Sequence, residues 1–151
     1  MTPAPQFGVP APGRGYPDRP AAFGVLEKDG KIALVTVTKP GYAPWFDLPG
    51  GAIDPGEDDR TALVREFGEE TGLSVRPGPF LGRADQFFTN TDGESFNNRQ
   101  SLYEAILEGE AAQLKIEKDH ELVWAPPLEA LKNLRHDSHA WAVIGWLRRR
   151  V

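Results

Sequence analysis

The sequence contains no cysteine among its 151 residues. A chain without thiols cannot form disulfides, use a thiolate nucleophile or bind zinc through sulfur. It also has no apolar run that approaches the roughly 18 residues needed to span a membrane. These absences exclude three classes of chemistry, and we expect a soluble protein with no membrane partner.

The chain also has fewer basic residues than acidic ones. Lys and Arg number 17 against 22 Asp and Glu, which gives a formal net charge of -5. Proteins that coat nucleic acid draw their affinity from an excess of cations facing phosphates, so we expect no nucleic acid polymer as a partner. A small anionic substrate is compatible with this balance if metal ions supply local positive charge.

The N-terminus has neither the basic start nor the apolar stretch of a secretory signal, so we expect a cytoplasmic protein. Residues 1–19 are rich in Pro and Gly, which end helices and interrupt central strands. We predict an extended N-terminal arm over residues 1–19. Residues 20–151 suit one domain by their length.

Beyond the arm, short apolar segments alternate with turns. Segments rich in β-branched residues predict a strand pair, 21–26 and 32–38, joined by a hairpin at residues 28–30. Further strands are predicted at residues 45–48, 73–75, 82–89, 100–107 and 122–124. We expect these strands to form a mixed sheet.

Three helices are predicted. The first covers about residues 58–71, because Asp58 can cap its N-terminus and Gly72 can end it. A short helix follows at residues 126–134, and a final helix begins near residue 138. The final helix is predicted to bury a stripe at helical spacing. That stripe comprises Ala140, Val143, Ile144 and Leu147.

The first helix carries an unusual cluster of acids. Glu66, Glu69 and Glu70 stand at i, i+3 and i+4, so their side chains share one face. Like charges at this spacing cost about 0.2–0.5 kcal/mol per pair, a penalty that a hard divalent cation reverses. The cluster indicates a Mg²⁺ site, and a solvated acidic face is the alternative interpretation.

The residues around this cluster distinguish a Mg²⁺ site from a solvated acidic face. From residue 51 to residue 73 the chain reads Gly-x5-Glu-x7-Arg-Glu-Phe-x-Glu-Glu-x-Gly-Leu. This segment resembles the Nudix box at every specified position. The approach to it, Trp-x-x-Leu-Pro-Gly over residues 45–50, is also similar to that family.

The resemblance implies a fold, a cofactor and an activity. The implied fold is α/β, a Nudix-type α/β/α sandwich with a mixed β-sheet between helices. The implied cofactor is Mg²⁺, with Mn²⁺ as a substitute. The implied reaction is attack of water on a phosphoanhydride bond in a nucleoside diphosphate linked to another moiety, such as a nucleoside triphosphate or an oxidised nucleotide.

Roles follow from the resemblance position by position. Glu57, Glu66, Glu69 and Glu70 resemble the metal-binding carboxylates. Catalytic roles are expected at Glu69, Glu70 and Arg65. Arg65 is expected to orient Glu57 or Glu69 by an ion pair.

A carboxylate from late in the chain often completes the site in this family, and the sequence offers Glu117 and Glu121. We favour Glu121 as a general base or further metal ligand, because it lies at the junction between a polar stretch and a strand. Glu117 sits among lysines that can pair with it at the surface. Both residues can also be ordinary solvated loop acids.

The substrate is less well specified. Trp45 and Phe87 can stack on a base, and Arg99 can meet a phosphate, although ordinary core aromatics and a surface cation would look the same. The downstream Pro of ADP-ribose hydrolases and the Tyr of dinucleoside polyphosphate hydrolases are both absent at about the expected spacing. We expect a small nucleotide-type substrate and a monomer or homodimer.

Two other functions are open at this point. One is a catalytically inactive Nudix-fold nucleotide-binding or regulatory module. The other is an interaction domain that Ca²⁺ or Mg²⁺ stabilises. Metal-dependent release of phosphate or pyrophosphate separates hydrolysis from both.

Overall fold

The computed structural model describes residues 3–150. Its strands are β1 (Gln6–Phe7), β2 (Asp18–Lys28), β3 (Lys31–Val37), β4 (Trp45–Asp47), β5 (Gly50–Ala52), β6 (Leu73–Thr89), β7 (Ser95–Glu110) and β8 (His120–Ala125). Its helices are α1 (Asp59–Thr71), α2 (Pro127–Asn133) and α3 (Asp137–Arg149), with a short 3-10 turn at Ala112–Leu114. None of the helices in the described residues has the length and apolar character needed to cross a membrane.

The strands form a mixed sheet, as predicted, in the order β1-β6-β7-β2-β3-β4. The pairs β1 with β6 and β2 with β7 are parallel, and the remaining pairs are antiparallel. The predicted hairpin between β2 and β3 is present, but only Glu27 and Lys28 pair across it. Beyond these residues the two strands part, and β5 pairs with β2 while β4 and β8 pair with β3. The separation opens the sheet beside α1.

The first helix begins and ends where its capping residues predict. The Asp58 side chain accepts a hydrogen bond from the Thr61 N–H at 2.7 Å, which satisfies one free donor of the first turn. Gly72 ends the helix in the left-handed region at φ 72°, and its N–H donates to the Gly68 carbonyl. A side chain at this φ would be strained, so the glycine sets the end of α1.

Helices cover both faces of the sheet, which gives the expected sandwich. On one face, Leu63 and Phe67 of α1 are fully buried against β2 and β3. On the other face, Val143 and Trp146 of α3 pack with the other side of the same strands. Each such side chain contributes about 1.5–3 kcal/mol of burial free energy. The core beneath α1 fixes this helix against the sheet from one side only, which leaves its acidic face free for the site.

The predicted buried stripe of α3 is confirmed at Val143 and wrong at Ile144. Ile144 is 47% exposed, whereas Trp146 is 1% exposed and His139 is fully buried. Two overlapping stripes exist on this helix, and the one that buries the large indole of Trp146 removes more apolar surface from water.

Part of the segment expected to be an arm lies on the sheet. Gln6 and Phe7 pair in parallel with β6, and the ring of Tyr16 meets that of Phe87 edge-on with centroids 5.2 Å apart. Strand β2 begins at Asp18, inside the segment expected to be an arm. The residues predicted as separate strands at 73–75 and 82–89 belong to one long, bulged strand, β6.

Candidate active site

The acidic face of α1 opens into a cavity of about 400 Å³. The cavity lies where β2 and β3 have parted, and it takes side chains from the strands as well as from α1 and α3. The lining side chains that matter most below are Arg19, Trp45, Glu66, Glu70, Phe88 and His120. Acidic and basic groups are therefore mixed within one concave surface.

Glu70 is the most deeply buried acid of α1. Its Oε1 accepts the Gly50 N–H at 2.9 Å, and its Oε2 lies 3.1 Å from His120 Nε2. Burial raises the pKa of Glu70 to about 7, against the opposing effect of the contacts with His120 and Gly50. A carboxyl with this pKa is ready to exchange its proton for a cation near neutral pH.

His120 was not anticipated as part of the site. Its Nδ1 lies 2.7 Å from Asp119, and Asp119 in turn pairs with Lys39. Burial lowers the pKa of His120, but the contacts with Glu70 and Asp119 outweigh burial and raise it to about 9. The hydrogen bond from Lys39 is the main reason that the pKa of Asp119 falls to about 2. A charged imidazolium thus faces Glu70.

Glu66 lies beside Gly51. A β-carbon at residue 51 would sit 2.7 Å from the Glu66 carboxyl carbon, so any other residue there would displace this carboxylate. Burial raises the pKa of Glu66, partly offset by Arg65, while Glu69 and Glu117 add to the rise. Two neighbouring acids on α1 are therefore held where their ionised forms are destabilised.

Arg65 connects the remaining acids. Its Nε and Nη2 donate to the two oxygens of Glu57 at 2.8 and 2.9 Å, a bidentate pair. Nη1 reaches Glu66 at 3.0 Å and Glu69 at 3.2 Å, and Nη2 also donates to the Ala52 carbonyl. The hydrogen bond from Arg65 is the main reason that the pKa of Glu57 falls to about 2. The expected ion pairs of Arg65 with Glu57 and Glu69 are both present.

The loop before β8 docks on the end of α1. The Glu69 carbonyl accepts the N–H groups of Ile116 and Glu117, each at 3.0 Å. A carboxylate oxygen of Glu117, one of Asp119 and a ring nitrogen of His120 all lie within 4.8 Å of one another. Glu117 therefore stands beside the acids of α1.

Glu121 is placed differently from our expectation. It is exposed, and it lies on β8 directly after His120. Neighbouring side chains on a strand point to opposite faces. Since His120 faces Glu70, the Glu121 side chain points away from it. Glu121 was expected at the junction before a strand that begins at residue 122, whereas β8 begins at His120 and places Glu121 within the strand.

A family model described as the NUDIX domain matches residues 16–147. The chain belongs to the NUDIX family. The match covers the acidic helix together with every strand that contributes to the cavity.

Individual Nudix relatives resemble parts of the chain. An ADP-ribose pyrophosphatase of Methanocaldococcus jannaschii is 42% identical over 62 residues, which cover 41% of this chain and 37% of the relative. A CTP pyrophosphohydrolase of Escherichia coli is 28% identical over 72% of this chain and 76% of the relative. A solved NUDIX hydrolase structure from Nitrosomonas europaea superimposes with a TM-score of 0.73 at 21% identity, covering 87% of this chain and 89% of the other. That structure supports the fold alone.

Only one of the three expected substrate-binding residues of this Nudix chain lines the cavity. Trp45 does so, with the Arg135 guanidinium 4.5 Å from its ring centroid. Phe87 packs instead on the N-terminal segment, and Arg99 pairs with Asp85 at 2.9 Å. Phe88, one residue further along β6, faces the cavity because side chains alternate along a strand.

A buried histidine supports the floor of the cavity. His139 Nδ1 accepts the Leu48 N–H at 3.1 Å. The ring proton therefore resides on Nε2, which donates to Gln100 Oε1 at 3.2 Å. Burial lowers the pKa of His139 and lowers that of His136 to about 3. The neutral His139 ties the segment just before the Nudix box to α3.

Proposed function

We propose that this protein is a Mg²⁺-dependent hydrolase that cuts a phosphoanhydride bond in a nucleoside diphosphate derivative. The observation that carries the proposal is a pair of acids on α1, the buried Glu70 and the partly buried Glu66, which face a cavity of about 400 Å³. This volume falls within the range of sites that hold small organic ligands, about 300–1,000 Å³. Nucleotides belong to that size class.

The residues present fit a hard divalent cation. Glu66 and Glu70 offer carboxylate oxygens, the donors that Mg²⁺ prefers. Burial raises the pKa of both groups, and a cation beside them relieves that cost. We assign the metal to Glu66, Glu69 and Glu70, with Glu57 as an additional acid held through Arg65. Mn²⁺ suits the same oxygen donors.

Bound Mg²⁺ would shield the phosphates, acidify the attacking water and stabilise the leaving group. The protein's own groups position these partners. Arg65 fixes Glu57 and Glu69 by charge-assisted hydrogen bonds. Glu117 is our choice for the base that takes the proton of water, because it stands beside the α1 acids while Glu121 is exposed.

The substrate class rests on the cavity and on the relatives. The two relatives described above carry names that refer to ADP-ribose and to CTP, both of which contain a diphosphate joined to a nucleoside. Trp45 offers a flat aromatic surface in the cavity, which suits a base. We therefore propose a small nucleotide-type substrate acted on in the cytoplasm.

A substrate panel tests this function. Purified protein is incubated with nucleoside triphosphates, oxidised nucleotides, ADP-ribose, sugar nucleotides and dinucleoside polyphosphates, each with Mg²⁺, with Mn²⁺ or with excess EDTA. We expect release of phosphate, pyrophosphate or a nucleoside monophosphate from at least one compound, and none with EDTA. Tight nucleotide binding without turnover on any compound would instead indicate an inactive Nudix-fold binding module.

A further inference from the structure

We infer that Arg19 binds an anionic phosphoryl oxygen of the substrate in this cavity. The inference rests on the proposed function, because it concerns the ligand of the same site. Arg19 lies at the start of β2, in the segment that the sequence marked as an arm. Three features of its surroundings carry the argument.

The first feature is rigid placement. The Arg19 guanidinium carbon lies 5.0 Å from the ring centroid of Phe88 and 4.9 Å from that of Phe96. Its Nε donates to Asn98 Oδ1 at 2.8 Å, and Asn98 is itself 2% exposed. Aromatic contacts and an anchored Nε hold the planar group in one orientation. The terminal nitrogens remain for a ligand.

The second feature is an unmatched charge. Three other positively charged groups line the cavity, and each has a carboxylate partner: Lys39 with Asp119, Arg135 with Asp47, and His120 with Glu70. Within residues 3–150, no carboxylate lies within ion-pairing distance of Arg19. Burying part of a cation without an anionic partner costs free energy, so an anionic ligand would supply the missing negative charge.

The third feature is proximity to the acids of α1. Burial lowers the pKa of Arg19, and the charge of Glu66 acts against that fall. Arg19 is thus within electrostatic reach of an acid that we assign to the metal. The diphosphate must lie against the metal, so the anion nearest Arg19 is a phosphoryl group. The flat guanidinium fork matches two phosphoryl oxygens.

Binding measurements with AMP and adenosine test the inference. AMP has no phosphoanhydride bond, so it can be titrated calorimetrically with Mg²⁺ present and without turnover. We expect Arg19→Gln to weaken AMP binding at least about tenfold, as loss of a charge-assisted hydrogen bond predicts. Arg19→Lys should lose less, because it keeps the charge, and adenosine binding should not change.

The matched control is Arg83→Gln, which removes the same charge from an exposed residue of β6 outside the cavity lining. It should bind AMP like the wild type. Unchanged AMP affinity in both Arg19 variants would overturn the inference. So would equal losses for AMP and adenosine, which would indicate contact with the nucleoside, and a wild type that binds AMP no better than adenosine. Thermal melting of Arg19→Lys shows whether a loss comes from unfolding.

Turnover separates this inference from the proposed function. If the wild type hydrolyses a panel compound and Arg19→Gln keeps its KM, the function stands and the inference fails. If no panel compound is hydrolysed but AMP binding depends on Arg19, the anion site stands and the hydrolase fails.

Discussion

His120 Nε2 lies 3.1 Å from Glu70 Oε2, at the buried end of the acidic face of α1. The imidazolium occupies a carboxylate oxygen that a metal ion would also use. Proton and metal therefore compete for one acid, and His120 stabilises Glu70 when no cation is bound.

This competition predicts that metal binding strengthens as pH rises. The pKa of Glu70 is about 7 and that of His120 about 9, so at pH 6 the carboxyl holds a proton and the histidine is charged. At pH 8 the carboxyl is ionised. We expect Mn²⁺ affinity to increase at least about tenfold between pH 6 and pH 8, measured by calorimetry.

The variant His120→Gln isolates the contribution of the histidine. It should bind Mn²⁺ more tightly than the wild type below pH 9, because a positive charge has been removed from beside Glu70. Equal affinity of the wild-type protein at pH 6 and pH 8 would count against a metal site at Glu70.

Glu117 and Glu121 are the two candidates for the catalytic base, and the same substitution in each compares them. We expect Glu117→Gln to lower kcat at saturating Mg²⁺ by about a hundredfold, the usual range for a general base. Glu121→Gln should retain nearly full kcat, because its exposed side chain points away from Glu70. A loss confined to Glu121→Gln would reverse the assignment.

Arg65→Met tests the ion-pair network and its pH dependence. We expect the free energy of unfolding at pH 7 to fall by about 2 kcal/mol, since charge-assisted hydrogen bonds to partly buried carboxylates are lost. The folded pKa of Glu57 is about 2, below its ordinary 4.5. The stabilisation is thus present above pH 4.5 and is lost as pH falls through about 2.

Urea denaturation at several pH values measures the gap in free energy of unfolding between wild type and Arg65→Met. This gap should narrow below pH 4.5. Arg60→Met is the control, because Arg60 is an exposed residue of the same helix. A gap of constant size across this pH range would mean that Glu57 is not the partner that matters.

His139→Leu tests the support beneath the cavity. At pH 8 it should cost about 1–3 kcal/mol of stability, because the Leu48 N–H and Gln100 lose a buried partner. The folded pKa of His139 lies below its ordinary 6.5. As pH falls below 6.5, the unfolded wild type gains a proton that the folded protein refuses.

Wild-type stability should therefore fall below pH 6.5 by about 1.4 kcal/mol per pH unit from this one group. His139→Leu lacks that group, so the difference between the two proteins should shrink in acid. Chemical denaturation at pH 8, 6 and 5 provides the comparison. A widening gap would indicate that His139 is charged in the folded protein.

Features that depend on neighbouring residues could be predicted from the sequence. Asp58 and Gly72 bound α1 because capping is local chemistry within one helical turn. The mixed sheet and its covering helices followed from the alternation of segments and from the Nudix resemblance. The Arg65 ion pairs followed from the resemblance to the Nudix box.

Features that depend on tertiary contacts could not be predicted from the sequence. Arg19 and Asn98 are 79 residues apart in the chain, and only the parallel pairing of β2 with β7 brings them together. A one-residue shift in the alternation of side chains along β6 decides whether Phe87 or Phe88 faces the cavity. Because β8 begins at His120, Glu121 lies within the strand with its side chain away from Glu70, which leaves Glu117 as the acid beside α1.

Replacement of one carboxylate tests the central claim, that the acids of α1 hold the catalytic metal. Glu70→Gln keeps the shape of the side chain and an oxygen that can accept the Gly50 N–H, so the fold should survive. Glu129→Gln, on an exposed residue of α2, is the control. We expect Glu70→Gln to lower Mg²⁺-dependent turnover at least about a hundredfold on the best panel substrate, with Glu129→Gln unchanged. Near-normal turnover by folded Glu70→Gln would contradict the account, because α1 would then not be the metal site.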